Sequence, residues 1–243
     1  MKPVRVEAWS VAMRLAEPYS VAYESIIAAQ NVFVRIVTDG TLVGLGCAAP
    51  GMQVTRERCS PVFEDLKFLA EPVLIGADPR RIAYLLHQLR DALPEKPATL
   101  AGVDMALYDL LGKQADLPLW KLLGGYRSSM TTCITIGILP ETETVQRAER
   151  FVAEGFRSLK IKGGRDVEAD AARVLKVREA VGPGIELRVD GNKGFCSDEA
   201  LKFIHLVESA DLELLEQPTP RAAPELLGHV RQEASTRVPV MAD

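Results

Sequence analysis

The 243 residues, 47% hydrophobic and 26% charged, are enough for one large or two modest domains and have the make-up of an ordinary soluble globular protein. A net charge of −4 without any Lys/Arg block excludes a basic footprint, so no nucleic-acid or membrane partner is expected. The opening MKPVRVEAWSVAM lacks the basic and apolar regions of a secretion signal, and no run approaches a transmembrane span, so a cytoplasmic location is expected.

The first fifty residues read as antiparallel strands. Residues 4–15 alternate apolar and polar positions, and NVFVRIVTDGTLVGLGCAAP repeats the pattern across Asp39-Gly40, a strong hairpin signal. Glu17-Pro18-Tyr19-Ser20 breaks the alternation and is expected to be a loop. The glycines of VGLG do not form a dinucleotide site, because no third glycine opens a helix at the required place. Cys47, Cys59, Cys133 and Cys196 lack metal spacing and read as reduced, half-buried thiols. His87, His205 and His229 are isolated and read as structural or surface residues.

From Thr55 the period becomes helical. Residues 55–70, 78–93 and 98–115 carry apolar positions at three-to-four spacing, with Asp78-Pro79 as a helix start. PLWKLLGGYR adds a helical turn that stops at Gly124-Gly125, a C-cap and domain boundary. After Arg127 the pattern alternates regularly between short apolar runs and amphipathic helical stretches, over residues 142–154, 167–181, 198–208 and 224–233. The apolar runs end near Ile136, Lys162, Asp190, Glu216 and Asp243, which lie 26, 28, 26 and 27 residues apart. Strand then helix at a steady period predicts parallel βα units of a (β/α) barrel.

Within this frame, LKIKGG places Lys160 and Lys162 two apart, hence on one face of a strand. Two neighbouring ammonium groups lower each other's proton affinity, which is how a lysine becomes a usable base near neutral pH. Lys162, Asp190, Glu216 and Asp243 each close an apolar run, so all four are expected at the C-terminal mouth of the barrel, where sites of that fold are built. A single Asp after a strand is most often a turn former or helix N-cap. Glu216 in LLEQP has no cap geometry, and three converging carboxylates would repel one another without a cation. An all-oxygen set without Cys or His points to Mg, or Mn, rather than Zn.

These segments resemble the enolase superfamily, and within it the mandelate racemase/muconate lactonizing enzyme family and its muconate lactonizing enzyme subgroup. The matching motifs are LKIKGG, RVDGN, LLEQP and PVMAD, and residues 101–125 look like that family's junction between capping domain and barrel. The resemblance implies an α+β capping domain over residues 1–126, followed by an incomplete (β/α) TIM-type barrel over residues 127–243. It implies Asp190, Glu216 and Asp243 as ligands of the divalent metal and Lys162 as general base. Lys160 would depress the pKa of Lys162 and contact the substrate carboxylate, and Asn192 would be a polar neighbour of the ligands. The capping loops of residues 17–20 and 50–55, with Tyr19, Ser20 and Met52, would face the substrate. The implied reaction is abstraction of the proton α to a carboxylate through a metal-stabilised enediolate, and sites of the enolase type are known for a Lys or His base working with Mg.

Two departures from the family's pattern stand out. Asp190 is followed by Gly191, Asn192 and Lys193 where the family usually has a small residue and then Asn-Gln. Strand alternation is expected to turn Lys193 away from the face shared by Asp190 and Asn192. The family's later Glu-Ser, its sixth-strand lysine and its substrate-reading strands are not in this sequence, so the chain is expected to be the N-terminal part of a longer enzyme, with an open sheet edge. The TIGI run of residues 135–138 leans toward a dipeptide epimerase, an isomerase acting on dipeptides or N-acyl amino acids. Muconate-type cycloisomerase and o-succinylbenzoate synthase share every motif seen here. A reading from another class is an inactive fragment that persists by pairing its edge with another chain. A small-molecule carboxylate substrate and a homo-oligomeric full-length form complete the expectation.

Overall fold

Alternating apolar positions produce three strands, β1 (Pro3–Ser20), β2 (Ser25–Thr38) and β3 (Val43–Ala48), in sheet order β1-β2-β3. The computed structural model describes residues 1–234 and 238–243. It groups the chain into two units, Met1–Leu15 with Ala28–Ser128 and Ala16–Ile27 with Ser129–Asp243. The segment Ala16–Ile27 therefore lies with the second unit, although a boundary at residue 126 would leave it in the first. The loop expected at residues 17–20 is instead strand; β1 is an edge strand, where a proline such as Pro18 is tolerated. The turn falls at residues 21–24, where Val21 N–H donates to the Glu24 carbonyl at 2.9 Å.

In the first unit, α1 (Cys59–Glu64) continues through a π-helical turn, Asp65–Ala70, into α2 (Glu71–Leu74). Then come α3 (Ile82–Ala92), α4 (Pro97–Ala115) and α5 (Leu119–Leu122). Val32, Val34 and Ile36 of β2 bury one face against Leu66, Leu85, Leu89, Val103, Ala106 and Leu107. The VGLG glycines are packing devices. A Cβ on Gly44 would lie 2.2 Å from the Ala106 carbonyl oxygen and one on Gly46 1.9 Å from that of Gly102, so β3 rests directly on the backbone of α4. The N-terminus of α4 is capped from a distance. Buried Glu57 accepts from Ala98 N at 2.6 Å, Thr99 N at 3.1 Å and Thr99 Oγ1 at 2.7 Å, which satisfies donors a helix start leaves open.

The second unit alternates as its periodicity predicts: β4 (Ile134–Ile136), α6 (Glu141–Ala153), β5 (Ser158–Lys162), α7 (Val167–Val181), β6 (Glu186–Asp190), α8 (Ser197–Leu206), β7 (Leu214–Glu216), α9 (Pro224–Ala234) and β8 (Val240–Met241), with a 3₁₀ turn Glu208–Ala210 before β7. The strands are parallel, in order β4-β5-β6-β7-β8, an open five-stranded portion of a βα barrel. Ile136, Leu159, Ile161, Leu187, Val189 and Leu215 of the sheet pack with Val174, Val177 and Phe203 of the helices. Lys162 is paired with Asp190 and Asp190 with Glu216, so three polar residues end adjacent strands in register. Beyond the strand ends the backbone stays interlocked. Gly163 N bonds the Asp190 carbonyl and Gly191 N that of Glu216, each at 2.9 Å. A Cβ on Gly164 would lie 1.9 Å from the Gly191 oxygen, and one on Gly194 1.9 Å from the Gly164 oxygen. No helix among the described residues is long and apolar enough to cross a membrane.

Candidate active site

The alternation of β5 puts Lys160 and Lys162 on one face, and both ammonium groups reach the same carboxylate oxygen. Lys160 Nζ stands 2.9 Å and Lys162 Nζ 2.7 Å from Asp190 Oδ2, and Lys160 also pairs with Glu216 Oε2 at 2.6 Å. Asp190 is only 2% exposed, and its Oδ1 takes the Asn192 backbone N–H at 2.9 Å. Burial pushes the Asp190 carboxyl upward, but the hydrogen bond and charge of Lys162, with those of Lys160, more than reverse this and hold it below the usual value. For Lys160 burial favours the neutral amine, yet the bonds to Glu216 and Asp190 outweigh it and raise its pKa. The expected mutual depression of the two lysines is thus overridden at Lys160 by its bonds to two carboxylates.

Lys193 also departs from expectation. Its Nζ lies 3.9 Å from Asp243 Oδ2. Strand alternation does not govern it, since β6 ends at Asp190 and both Asn192 and Lys193 have left-handed backbone, φ 45° and 69°. Asp243, half exposed, sits two residues past the end of β8 and is held through its backbone N–H to Gln217 Oε1 at 2.9 Å. Lys160 and Lys162 therefore face Asp190 and Glu216, and Lys193 faces Asp243. Among the described residues no three His, Cys, Asp or Glu side chains are grouped as they stand around an ion position. Asn192 Oδ1 is buried without a partner.

Tyr19 and Ser20 belong to the same unit as this cluster. Ile138 N–H donates to the Ser20 carbonyl at 2.8 Å, and a Cβ on Gly137 would come 2.8 Å from Tyr19 Cβ. Met52 belongs to the first unit and is exposed, in a loop where the Gly51 carbonyl accepts from Val54, Thr55 and Arg56. Cys196, expected half-buried, is exposed at the start of α8, where its N–H donates to Glu199 at 2.8 Å. A groove of about 790 Å³ runs along α4 and α5, and none of the expected site residues lines it.

Sequence reasoning missed Gln217, Tyr23 and Asp170. Gln217 is buried with φ 32°, and its Nε2 donates to the Thr219 carbonyl at 2.8 Å; a polar residue ahead of Pro218 in LLEQP was its only signal. Tyr23 has its phenol pKa raised by burial first and then by the charges of Glu24, Asp243 and Asp190, which places it in the field of the cluster.

A parallel βα sheet with lysines and carboxylates aligned at its C-terminal strand ends is the architecture of a barrel-type enzyme site. The chain matches the mandelate racemase/muconate lactonizing enzyme N-terminal domain over residues 4–124 and the enolase C-terminal domain-like family over residues 143–243. It is 38% identical to an L-Lys-D/L-Arg epimerase of Desulforapulum autotrophicum, over 96% of this chain and 65% of that protein. It is 37% identical to a hydrophobic dipeptide epimerase of Enterococcus faecalis, over 100% of this chain and 68% of that one. A crystal structure of the dipeptide epimerase from E. faecalis V583, complexed with Mg and L-Leu-L-Tyr, superposes with a TM-score of 0.96 at 37% identity, covering 100% of this chain and 68% of that one. The chain belongs to the mandelate racemase/muconate lactonizing enzyme family of the enolase superfamily. It spans about two thirds of the length of these relatives.

Proposed function

We propose that Lys162, with the carboxylates of Asp190, Glu216 and Asp243, forms the base and cation-binding part of a site that removes the proton α to a carboxylate. The parent protein would be an epimerase or racemase of dipeptides or N-acyl amino acids. The observation that carries this reading is the row Lys162, Asp190 and Glu216 at equivalent positions of three adjacent parallel strands.

A hard divalent cation suits this donor set. The donors are all oxygen, and an ammonium already bridges Asp190 and Glu216 at 2.9 and 2.6 Å. Asp190, Glu216 and Asp243 would hold Mg, or Mn, and Asn192 would steady Asp190 through its N–H. When bound, the ion supplies positive charge where the substrate carboxylate gains electron density. Lys162 would accept the α-proton at Nζ only as the neutral amine, once its ammonium has left Asp190 and given up a proton, and Lys160 stays charged beside the developing anion. Return of a proton to the opposite face needs an acid that the cluster does not contain. The two relatives of nearly equal identity are named for cationic and for hydrophobic dipeptides, so the shared element is the dipeptide and not its side chains. The proposal includes a cytoplasmic, homo-oligomeric parent; light scattering tests its assembly.

The test uses the protein as its full reading frame encodes it, with Mg, in deuterium oxide. Loss of the α-proton signal of L-Ala-L-Glu, L-Lys-L-Arg, L-Leu-L-Tyr or an N-succinyl amino acid is followed by NMR, with Lys162→Ala as control. Exchange with at least one substrate, reduced by about 10²–10⁴-fold in the variant, is expected for a general base. No exchange with any of them refutes the reading.

A further inference from the structure

The three residues that follow Lys162 are Gly163, Gly164 and Arg165, and they are held from behind by a buried charge pair. Asp170 is 2% exposed, and its Oδ2 accepts from Gly164 N at 2.7 Å and Arg165 N at 3.2 Å. Its Oδ1 pairs with Arg173, which also donates to the Lys162 carbonyl at 3.3 Å. Helix capping does not require this pair, since Asp166 already accepts from Ala169 N at 2.8 Å. A buried Asp–Arg pair is costly to desolvate unless its remaining valences are bonded. Here both Asp170 oxygens and Arg173 Nη2 are bonded, three of those bonds going to the backbone between the lysine and the helix, while Arg173 Nε is buried without a partner.

Arg165 carries the connection further. Its Nη2 donates to the Val21 carbonyl at 2.8 Å and its Nε to the Ala22 carbonyl at 3.3 Å, 144 and 143 residues away in sequence. Those carbonyls belong to the turn that presents Tyr23 and Glu24. The stem of this turn has its own ties, the Ser20–Ser25 hydroxyl pair at 2.7 Å and the Ile138–Ser20 bond at 2.8 Å. Removing the guanidinium therefore frees the tip without freeing the stem.

We infer that Arg165 is a latch on the turn of residues 21–24. Asp170 and Arg173 are the fixed point from which both this latch and Lys162 are set. One short loop then positions the base and the segment beside it, and Arg165, Asp170 and Arg173 are positioning residues. The consequence for substrate rests on the reading of Lys162 as the base.

Hydrogen–deuterium exchange on the purified protein tests the latch without any substrate. In Arg165→Ala, exchange of the peptide covering residues 19–25 is expected to rise about tenfold, as for loss of charged hydrogen bonds, with the global unfolding midpoint unchanged. Arg165→Lys, which can still reach one carbonyl, should restore part of the protection. Unchanged local exchange in Arg165→Ala overturns the latch. With a substrate in hand, Arg165→Ala should raise KM about tenfold with kcat nearly constant, whereas Asp170→Asn should lower kcat. Equal falls in both variants that track the folded fraction overturn the positioning role. Raised local exchange in a protein that turns over no dipeptide supports the latch and refutes only the proposed reaction.

Discussion

Replacing Glu216 by Gln keeps the side chain's length and removes its charge. In the metal-free protein Lys160 would lose a carboxylate oxygen at 2.6 Å but keep Asp190 at 2.9 Å. Stranding one member of a buried pair costs about 3–5 kcal/mol. Lys160 is not stranded, and the amide oxygen of Gln still accepts, so the loss should be nearer 1 kcal/mol. For a chain of 243 residues that is a fall of about 2 °C in Tm. The response to Mg should differ far more. An ion present at a hundred times its Kd stabilises the native state by about 2.7 kcal/mol. Calorimetric melts of the wild type should shift upward by roughly 5 °C at that excess, and those of Glu216→Gln should not shift. An undiminished Mg-dependent rise in the variant would remove Glu216 from the proposed ligand set.

Gly46→Ala places a methyl group 1.9 Å from the Gly102 oxygen and 2.9 Å from Ala106 N, both backbone of α4; a loss of about 3 kcal/mol is expected in urea melts. Glu57→Ala leaves Ala98 N, Thr99 N and Thr99 Oγ1 without their acceptor and should cost about 2–3 kcal/mol, with Glu57→Gln costing less. Because the Asp190 carboxyl is held below 3.8, its stabilisation is complete above that pH and is lost as pH falls through the folded value. Asp190→Asn lacks this component, so denaturation midpoints of wild type and variant should converge as the pH is lowered from 5 toward 2, roughly the range over which such a carboxylate titrates.

The spacing of strand ends foretold the parallel register because one βα unit has a nearly fixed length, and a polar residue closing each apolar run stood out against its context. That carried Lys162, Asp190 and Glu216 into one row. The sequence misleads where the deciding interaction is remote or the backbone is unusual. Pro18 reads as a breaker until β1 is known to be an edge strand. Lys193 reads as outward until its φ of 69° is seen. Glu57 gives no local signal, and Asp170 only the Arg173 three residues on. Each spends its carboxylate on backbone N–H groups, of residues 41–42 positions away for Glu57 and 5–6 away for Asp170, and such bonds have no residue-type signature.

The interlocked glycines at Gly164, Gly191 and Gly194 divide the labour of movement at the strand ends. Backbones packed so closely that no methyl group fits between them leave the loops after β5 and β6 no room to shift independently, so Lys162 and Asp190 ride on one stiff plate. Above it, the lysine ammonium groups sit on four-carbon stems, whose rotation needs no backbone movement. On the proposed reading of Asp190 and Glu216 as cation ligands, exchange of the ammonium for another cation would then require side-chain rotation and no loop rearrangement.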